Sequence, residues 1–357
     1  MPGDNGSGIR SSRPTINIAG QDNATLSGGL LKLLIVENTS GLYRCEATFG
    51  NWGEADNSVG FVYFDRRTLD FGKVFQVKLG TEVLFSGRIT GLEALFPEGQ
   101  TPALNVLAED RLQDLRMTRR TRTFSQLNDA DIIRQVAGDH GLSAQADLQG
   151  PTYDVIAQVN QSDLAFLRER ARAIDAELWV QESTLYAKPR NRRGGGTLSL
   201  TYGQTLREFS VLADLAGQRT SVFVNGWDVS GKEGLQYEAT ETVIQSELNS
   251  DTSGVSILAS ALGQRKEALA HTVPLTSQEA QAFAEAYYRM TARRFVVGRG
   301  TAETDSKLRV GATVTLEGLG SLFNGRYYVS EVQHLFDDVR GIRTEFTAER
   351  PGLGQAQ

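Results

Sequence analysis

The strongest constraint on this chain is a strict two-residue alternation interrupted by glycine turns. Phe75, Val77 and Leu79 alternate with polar neighbours, Gly80-Thr81 intervenes, and Val83 and Phe85 resume the alternation. A period of two places the apolar residues on one face of a strand, and glycine supplies the positive φ of a tight turn, so the spacing predicts a β-hairpin. The same signal recurs between Thr15 and about Leu115. Ile16 and Ile18 alternate, and Lys32–Glu37 and Phe61–Phe64 are short β-prone runs. Ile89–Leu95 and Ala103–Ala108 predict two more strands. Glycine numbers 37 of 357 residues and proline 8, so glycine exceeds the usual ~7% while proline is scarce. Many short strands joined by Gly and Asp turns predict a barrel or sandwich.

Periodicity changes after residue 116. Asp129–His140 carries Ile132, Ile133, Val136 and Ala137 on one helical face, with Asn128 as N-cap and Gly141 as stop. A second helix begins at Ser162, with Leu164, Leu167, Ala171 and Ile174 at helical spacing, and two strands follow at Glu177–Val180 and Thr184–Lys188. This reads as a small α/β unit. Lys188–Gly196 is basic and glycine-rich, and its composition predicts an exposed, mobile linker. β pattern then returns at Thr197–Tyr202, Leu206–Leu212 and Arg219–Asp228. Residues 229–272 predict loops around one or two strands. Thr276 and Glu279 form a capping box opening a helix over about 276–294, and four strands follow between Phe295 and Ala348.

Composition and motifs exclude several classes. With 37 Lys+Arg against 43 Asp+Glu the net charge is −6, so the whole molecule lacks the positive field of a nucleic-acid binder. Met1–Pro14 has no apolar core, which predicts no secretion signal, and no apolar run is long enough to span a membrane. The single cysteine, Cys45, closes no internal disulfide, builds no thiolate metal site and reads as a small buried hydrophobe. The three histidines are scattered: His140 at a helix end, His271 in a loop, and His334 on a strand, where it reads as a sheet-surface residue. No nucleophile elbow, zinc-protease helix or phosphate-binding loop occurs, so no catalytic, metal or cofactor residues are expected. The adjacent carboxylates Glu109-Asp110, Asp129/Asp131 and Asp337-Asp338 leave one alternative, a glycosidase-type wall hydrolase, which needs two of them across a cleft. Two basic runs, Arg116–Arg122 and Lys188–Arg193, contain no aromatic residues for stacking bases. They rank as solvated linkers first, a surface for an acidic partner second, and a nucleic-acid contact third.

An internal echo suggests a duplicated β domain. Leu84-Phe85-Ser86-Gly87-Arg88 and Leu322-Phe323-Asn324-Gly325-Arg326 each lead into a β stretch ending in Leu-Phe, at Leu95-Phe96 and Leu335-Phe336.

Longer motifs carry a family likeness. Phe124 … Asp131-Ile132-Ile133 … His140-Gly141-Leu142 is followed by Gln161-Ser162-Asp163-Leu164-Ala165-Phe166-Leu167. Near the end stand Leu308-Arg309-Val310-Gly311 and Phe323-Asn324-Gly325-Arg326-Tyr327-Tyr328-Val329. Over about residues 15–350 the chain resembles the phage late-control protein D family and the hub portion of VgrG-type spike proteins. That resemblance implies an α+β, mainly β chain with two tube-like β-barrel domains and an intervening small α/β domain. The expected division is a flexible arm at 1–14, a first barrel at 15–115, the α/β domain at 116–193, a second barrel at 194–350 and a tail at 351–357. It also implies a non-enzymatic, homotrimeric baseplate hub of a contractile tail or injection system. Such a hub assembles in the bacterial cytoplasm, with a hexameric inner-tube ring above, a spike below and other baseplate proteins around it. Because the sequence stops at Gln357, where VgrG chains continue into a spike, the spike is expected to be a separate protein.

Overall fold

In the computed structural model, residues 13–55, 58–229, 231–270 and 273–355 are described. His271 and all but the last two residues of the expected N-terminal arm lie outside them. The chain is α+β and mainly β. Ten strands carry the architecture: β1 (Leu30–Asn38), β2 (Arg44–Gly50), β3 (Val74–Leu79), β4 (Glu82–Leu95), β5 (Ala103–Glu109), β6 (Leu206–Ala213), β7 (Val296–Ala302), β8 (Thr313–Glu317), β9 (Gly325–Asp337) and β10 (Gly341–Arg350). They belong to one 13-stranded sheet ordered β6-β7-β10-β9-β1-β2-β5-β4-β3, with Thr15–Ile18 beyond β3 and β8 on the first part of β9.

The order contains a repeat. β1-β2-β5-β4-β3 and β6-β7-β10-β9-β8 are the same arrangement of antiparallel strands. Two of their irregularities match, while a third, between Val77 and Lys78 on the β3–β4 ladder, has no counterpart on the β8–β9 ladder. β1 is bulged between Leu30 and Lys32, and β6 between Leu206 and Glu208. β4 is bulged between Ile89 and Gly91 against β5, and β9 between Val329 and Glu331 against β10. A bulge bends its strand and increases the local twist, so shared bulges mean shared curvature. The extra residue is a hydroxyl side chain in both long strands. Thr90 Oγ1 donates to Leu107 O at 3.4 Å, and Ser330 Oγ donates to Thr347 O at 3.3 Å.

Register corrects the five-residue echo. Arg88 pairs with Val74 and Glu109, whereas Tyr328 pairs with Thr313 and Glu349. The counterpart of Leu84–Arg88 is therefore Asn324–Tyr328, and Leu322-Phe323 lie in the turn before β9. The terminal Leu95-Phe96 and Leu335-Phe336 do correspond.

The repeats do not stand apart. Glu331–Asp337 of β9 pair antiparallel with Asn38–Lys32 of β1, which merges the two β halves into one sheet. Apolar residues of each repeat form a separate core on one face, around Phe49, Phe75 and Ile89 in the first and Tyr327, Val314 and Phe295 in the second. Helices α1 (Asp129–Asp139) and α2 (Asp163–Ala173) start where expected. Asn128 Oδ1 accepts from Asp131 N, and Ser162 Oγ accepts from Ala165 N. Their apolar faces meet the strands Ala176–Gln181 and Thr184–Pro189 in a third core. A fourth core lies under α3 (Ser277–Arg293), which packs on the strands Ser221–Asp228 and Glu233–Ala239. Its capping box is displaced: Glu279 N donates to Thr276 Oγ1, but the Glu279 carboxylate accepts from Leu275 N rather than from Thr276 N.

Three local expectations fail. Phe61–Phe64 is not a strand. Tyr63 N donates to Asn51 Oδ1 at 2.7 Å, which closes a corner where Phe61 stacks on Phe64 with ring centroids 4.8 Å apart. Residues 229–272 hold the expected strands, Glu233–Ala239 and Lys266–Leu269, but also an unexpected helix, Gly254–Leu262, capped by Ser253 Oγ. The Lys188–Gly196 stretch is not a mobile linker. Pro189 ends a strand, Arg190–Arg192 form a turn of 3-10 helix, and Gly195 lies against the backbone of Gly311 and Ala312. No helix among the described residues is long and apolar enough to cross a membrane.

A Cβ on Gly195 would stand 2.2 Å from Gly311 C and 2.3 Å from Ala312 N, and backbone has no rotamer by which to yield. Gly195→Ala is therefore expected to destabilise by about 1–3 kcal/mol, read from the denaturant midpoint. In a mobile linker the same change would be neutral or stabilising, by up to ~1 kcal/mol.

Candidate functional site

The functional surface is built where β9 meets β1, because three bodies converge there: both repeats and the α/β unit. The second basic run supplies the clamp. Arg193 donates to Glu177 Oε2 at 2.6 Å and to Tyr43 Oη, and its guanidinium lies 4.5 Å from the Trp179 ring centroid. Tyr328 Oη donates to the same Glu177 oxygen at 2.5 Å. Arg190 pairs with Glu349 on β10 and lies 3.8 Å from the Tyr328 ring centroid. Arg193 thus touches the first repeat through Tyr43 and the α/β unit through Glu177, while Arg190 reaches the second repeat. Burial disfavours the charge on Arg193, but Tyr43, Glu177 and Tyr328 outweigh it and hold the guanidinium above its ordinary range. Residues expected in solvent thus form a buried ion-pair network. The exception is Arg192, half exposed and paired with Asp147.

In the first basic run Arg116, Arg119 and Arg120 are exposed and Arg122 is half-buried, but each is engaged within the chain. Arg122 reaches Asp163 at 2.9 Å, Gln158 at 2.9 Å and Asp139 at 2.6 Å; Arg120 meets Asp163 at 3.1 Å, and Arg116 meets Glu109 at 2.6 Å. His140 Nε2 stands 2.8 Å from Asp163. Burial would raise the Asp163 carboxyl, but its bonds to His140 and Gln158 and the charges of Arg122 and Arg120 keep it below its ordinary value. The run is consumed in holding α1 and α2 to the strand Arg119–Asn128.

The carboxylates singled out in the sequence are brought to no common cleft. Asp110 accepts from Tyr43 N and Leu112 N. Asp129 is held by Arg170 and Tyr153 Oη, and Asp131 by Arg134. Asp337 accepts from Val339 N, Arg340 N and Arg343, and Asp338 pairs with Arg13. Cys45 is buried in the first core, and burial pushes its thiol well up. Among the described residues no group of three or more His, Cys, Asp or Glu is placed to hold a metal.

His334 is not on the sheet surface. It is fully buried beside the β9–β1 junction, opposite Ile35, with Nδ1 2.8 Å from Thr344 Oγ1. Thr344 donates onward to Thr304 Oγ1 at 3.0 Å, which makes Nδ1 the donor and leaves Nε2 a buried lone pair without a partner. The neighbouring Glu37 is spanned by Arg309 and by Val310 N at 3.2 Å. Strand alternation alone cannot tell which face of a strand is buried, so nothing in the sequence distinguished His334 from Gln333.

The opposite face of the sheet is polar. Glu208, Arg299, Glu331 and Glu345 border one open cleft of about 560 Å³, and Lys32, Glu46, Asp337 and Arg343 border another of about 290 Å³. This face and the free strand edges at the two ends of the repeats are the surfaces available for assembly.

Two measurements test the junction. Arg193→Ala strips the buried Glu177 of its main partner and is expected to cost about 3–5 kcal/mol, against within about 0.5 kcal/mol for Arg192→Ala, read as denaturant midpoints. Burial pushes the His334 imidazole down to about 4, from its ordinary 6.5. The unfolded chain then binds more protons between those values, so this residue removes stability as pH falls from about 6.5 to 4, by at most ~3 kcal/mol. Asp110, raised by burial to about 7, acts in the opposite sense over much of that window. The expected signature is therefore differential. Wild type minus His334→Gln should show a stability difference that slopes between pH 6.5 and 4 and is flat above 7.

Similarities to known proteins follow the fold. The family model described as Alg8 N-terminal domain matches residues 60–338. No curated protein matches the chain. The 43 kDa tail protein of prophage MuSo2 from Shewanella oneidensis has the same fold, with a TM-score of 0.67 at 13% identity over 95% of this chain and 98% of that one. A tail protein from Neisseria meningitidis MC58 gives 0.64 at 12% identity, covering 96% and 97%. The E. coli c3393 protein, described as a type VI secretion component similar in structure to the T4 tail proteins gp27 and gp5, gives 0.57 at 14% identity, covering 96% and 79%.

Proposed function

We propose that this chain, which belongs to the Alg8 N-terminal domain family, is a structural hub of a contractile phage tail or contractile injection system. In this reading it resembles the late-control protein D proteins and the hub portion of VgrG. Three copies assemble between a sixfold inner-tube ring and a threefold spike, with other baseplate proteins around them. The observation that carries the reading is the repeat: β1–β5 and β6–β10 share strand order and bulge positions within one sheet. A chain with two equivalent modules presents six modules in a threefold ring, which resolves the mismatch between a sixfold and a threefold partner without leaving contacts unmatched. The tail-protein fold of the structural neighbours supports the same reading.

The proposed division of the chain is a β module at 15–115, an α/β domain at 116–193 and a second β module at 194–350. The hub is assembled in the cytoplasm and retained in the particle. In this reading its role is structural and not enzymatic, which the tail-protein fold of its structural neighbours supports.

Light scattering on the eluting protein, alone and co-expressed with the spike, is expected to give three times the 39.0 kDa chain mass, with tube and spike proteins retained on the tagged hub. A monomer that binds neither would overturn the reading.

A further inference from the structure

Each repeat has the same two pairing surfaces, yet only one of each is used within the chain. In the second repeat, β8 covers only the first part of β9, and β1 pairs with the remaining Glu331–Asp337. In the first repeat, β3 covers only the first part of β4. Its ladder with β4 ends at Val74–Arg88, extended by bonds from Ile89 N to Lys73 O and from Gly72 N to Ile89 O. From Thr90 onward the edge of β4 away from β5 has no strand among the described residues. At the far end of the sheet β6, the counterpart of β1, has a ladder with β7 alone, and its other edge carries only a single bridge, from Leu206 to Tyr202. The chain therefore ends in two complementary open edges, each equivalent to one side of its own β9–β1 junction.

We infer that β6 of one copy completes the sheet of a second copy along Gly91–Phe96, in the register of the internal β9–β1 ladder. This rests on the hub reading and names its subunit contact. The matched bulges transfer the register. Ser330 corresponds to Thr90, and the bulged Leu31 to Arg207. The internal pairs Gln333–Val36, His334–Ile35 and Phe336–Leu33 then become Glu93–Leu212, Ala94–Val211 and Phe96–Phe209 between copies.

The faces agree under this transfer. Val211 and Phe209 pack toward the second core, and Leu92 packs against the first, as the core-facing residues of an inter-copy ladder must. Phe96, which this register sets opposite Phe209, is 64% exposed in the isolated chain and packs edge-on against Phe61 and Phe64; Leu212, set opposite Glu93, is likewise 64% exposed, on the other face. The bulge at Arg207 and the charge of Glu208, which hinder strand addition, precede the stretch Phe209–Ala213 that would pair. Leu206–Ala213 contains no proline or lysine, and Pro97 falls only at the end of the β4 stretch. Because β6 joins β4 and not a second β6, the contact is head-to-tail. Such a contact propagates until it closes into a ring.

The test uses cysteine pairs, aided by the burial of Cys45, the only native cysteine. Glu93→Cys and Leu212→Cys are made in separate chains, both at exposed positions, mixed, and treated with a short bis-maleimide. The off-register control pairs Glu93→Cys with Glu208→Cys. The expected result is a cross-linked dimer from the 93/212 mixture at least five-fold more abundant than from the 93/208 mixture. With both cysteines in one chain, a ladder should end at the closed ring. Equal yields from the two mixtures would overturn the inference. So would an oligomer by light scattering without the 93/212 product, or a chain that stays monomeric at the highest concentration tested. Retention of tube and spike proteins, measured on the same preparations, reports separately on the hub reading, which survives if binding persists without the 93/212 link.

Discussion

The ladder between Glu331–Asp337 and Lys32–Asn38 is the constraint on which the rest of the structure depends. It joins residues nearly three hundred positions apart, and the segments between them that are not strands of the sheet must leave it and return. The α/β unit and the α3 layer occupy that excursion, and their attachment decides whether the two repeats keep one relative orientation. Arg193 and Arg190 provide that attachment from the segment that re-enters the sheet. A buried charged network is costly to assemble, since each ion loses its hydration, and it holds only when every partner is in place. That all-or-none character suits a joint whose orientation matters more than its strength. Arg293 repeats the device nearby, bridging Asp175 of the α/β unit and Glu247 at 2.8 and 2.7 Å.

Much of the fold was legible in the sequence because its signals are local. The hairpin at Gly80-Thr81, the N-caps Asn128 and Ser162 and the alternating strands of both repeats each report a short-range preference that tertiary packing did not overrule. The junction was not legible, for a physical reason. Lys188–Gly196 has the composition of a solvated linker, and composition says nothing about the carboxylates and tyrosines that arrive from Tyr43, Glu177 and Tyr328. Phe61–Phe64 failed differently: its aromatic residues have high strand propensity, but Asn51 turns the backbone there through a buried hydrogen bond. Propensity is a weak prior where a side chain competes for the backbone.

The repeat also shows which properties of the fold are held constant and which are free. The two halves do not preserve the chemistry of corresponding positions. His334 stands where the first repeat has Ala94, Tyr328 where it has Arg88, and Arg207 where it has Leu31. What both halves keep is the extra residue in β1 and β6 and in β4 and β9, the last two with a hydroxyl that ties it to the neighbouring carbonyl. Bulges set bend and twist, so curvature is the shared property. Here the side chains vary between repeats while the two bulges that set the bend of the sheet are retained.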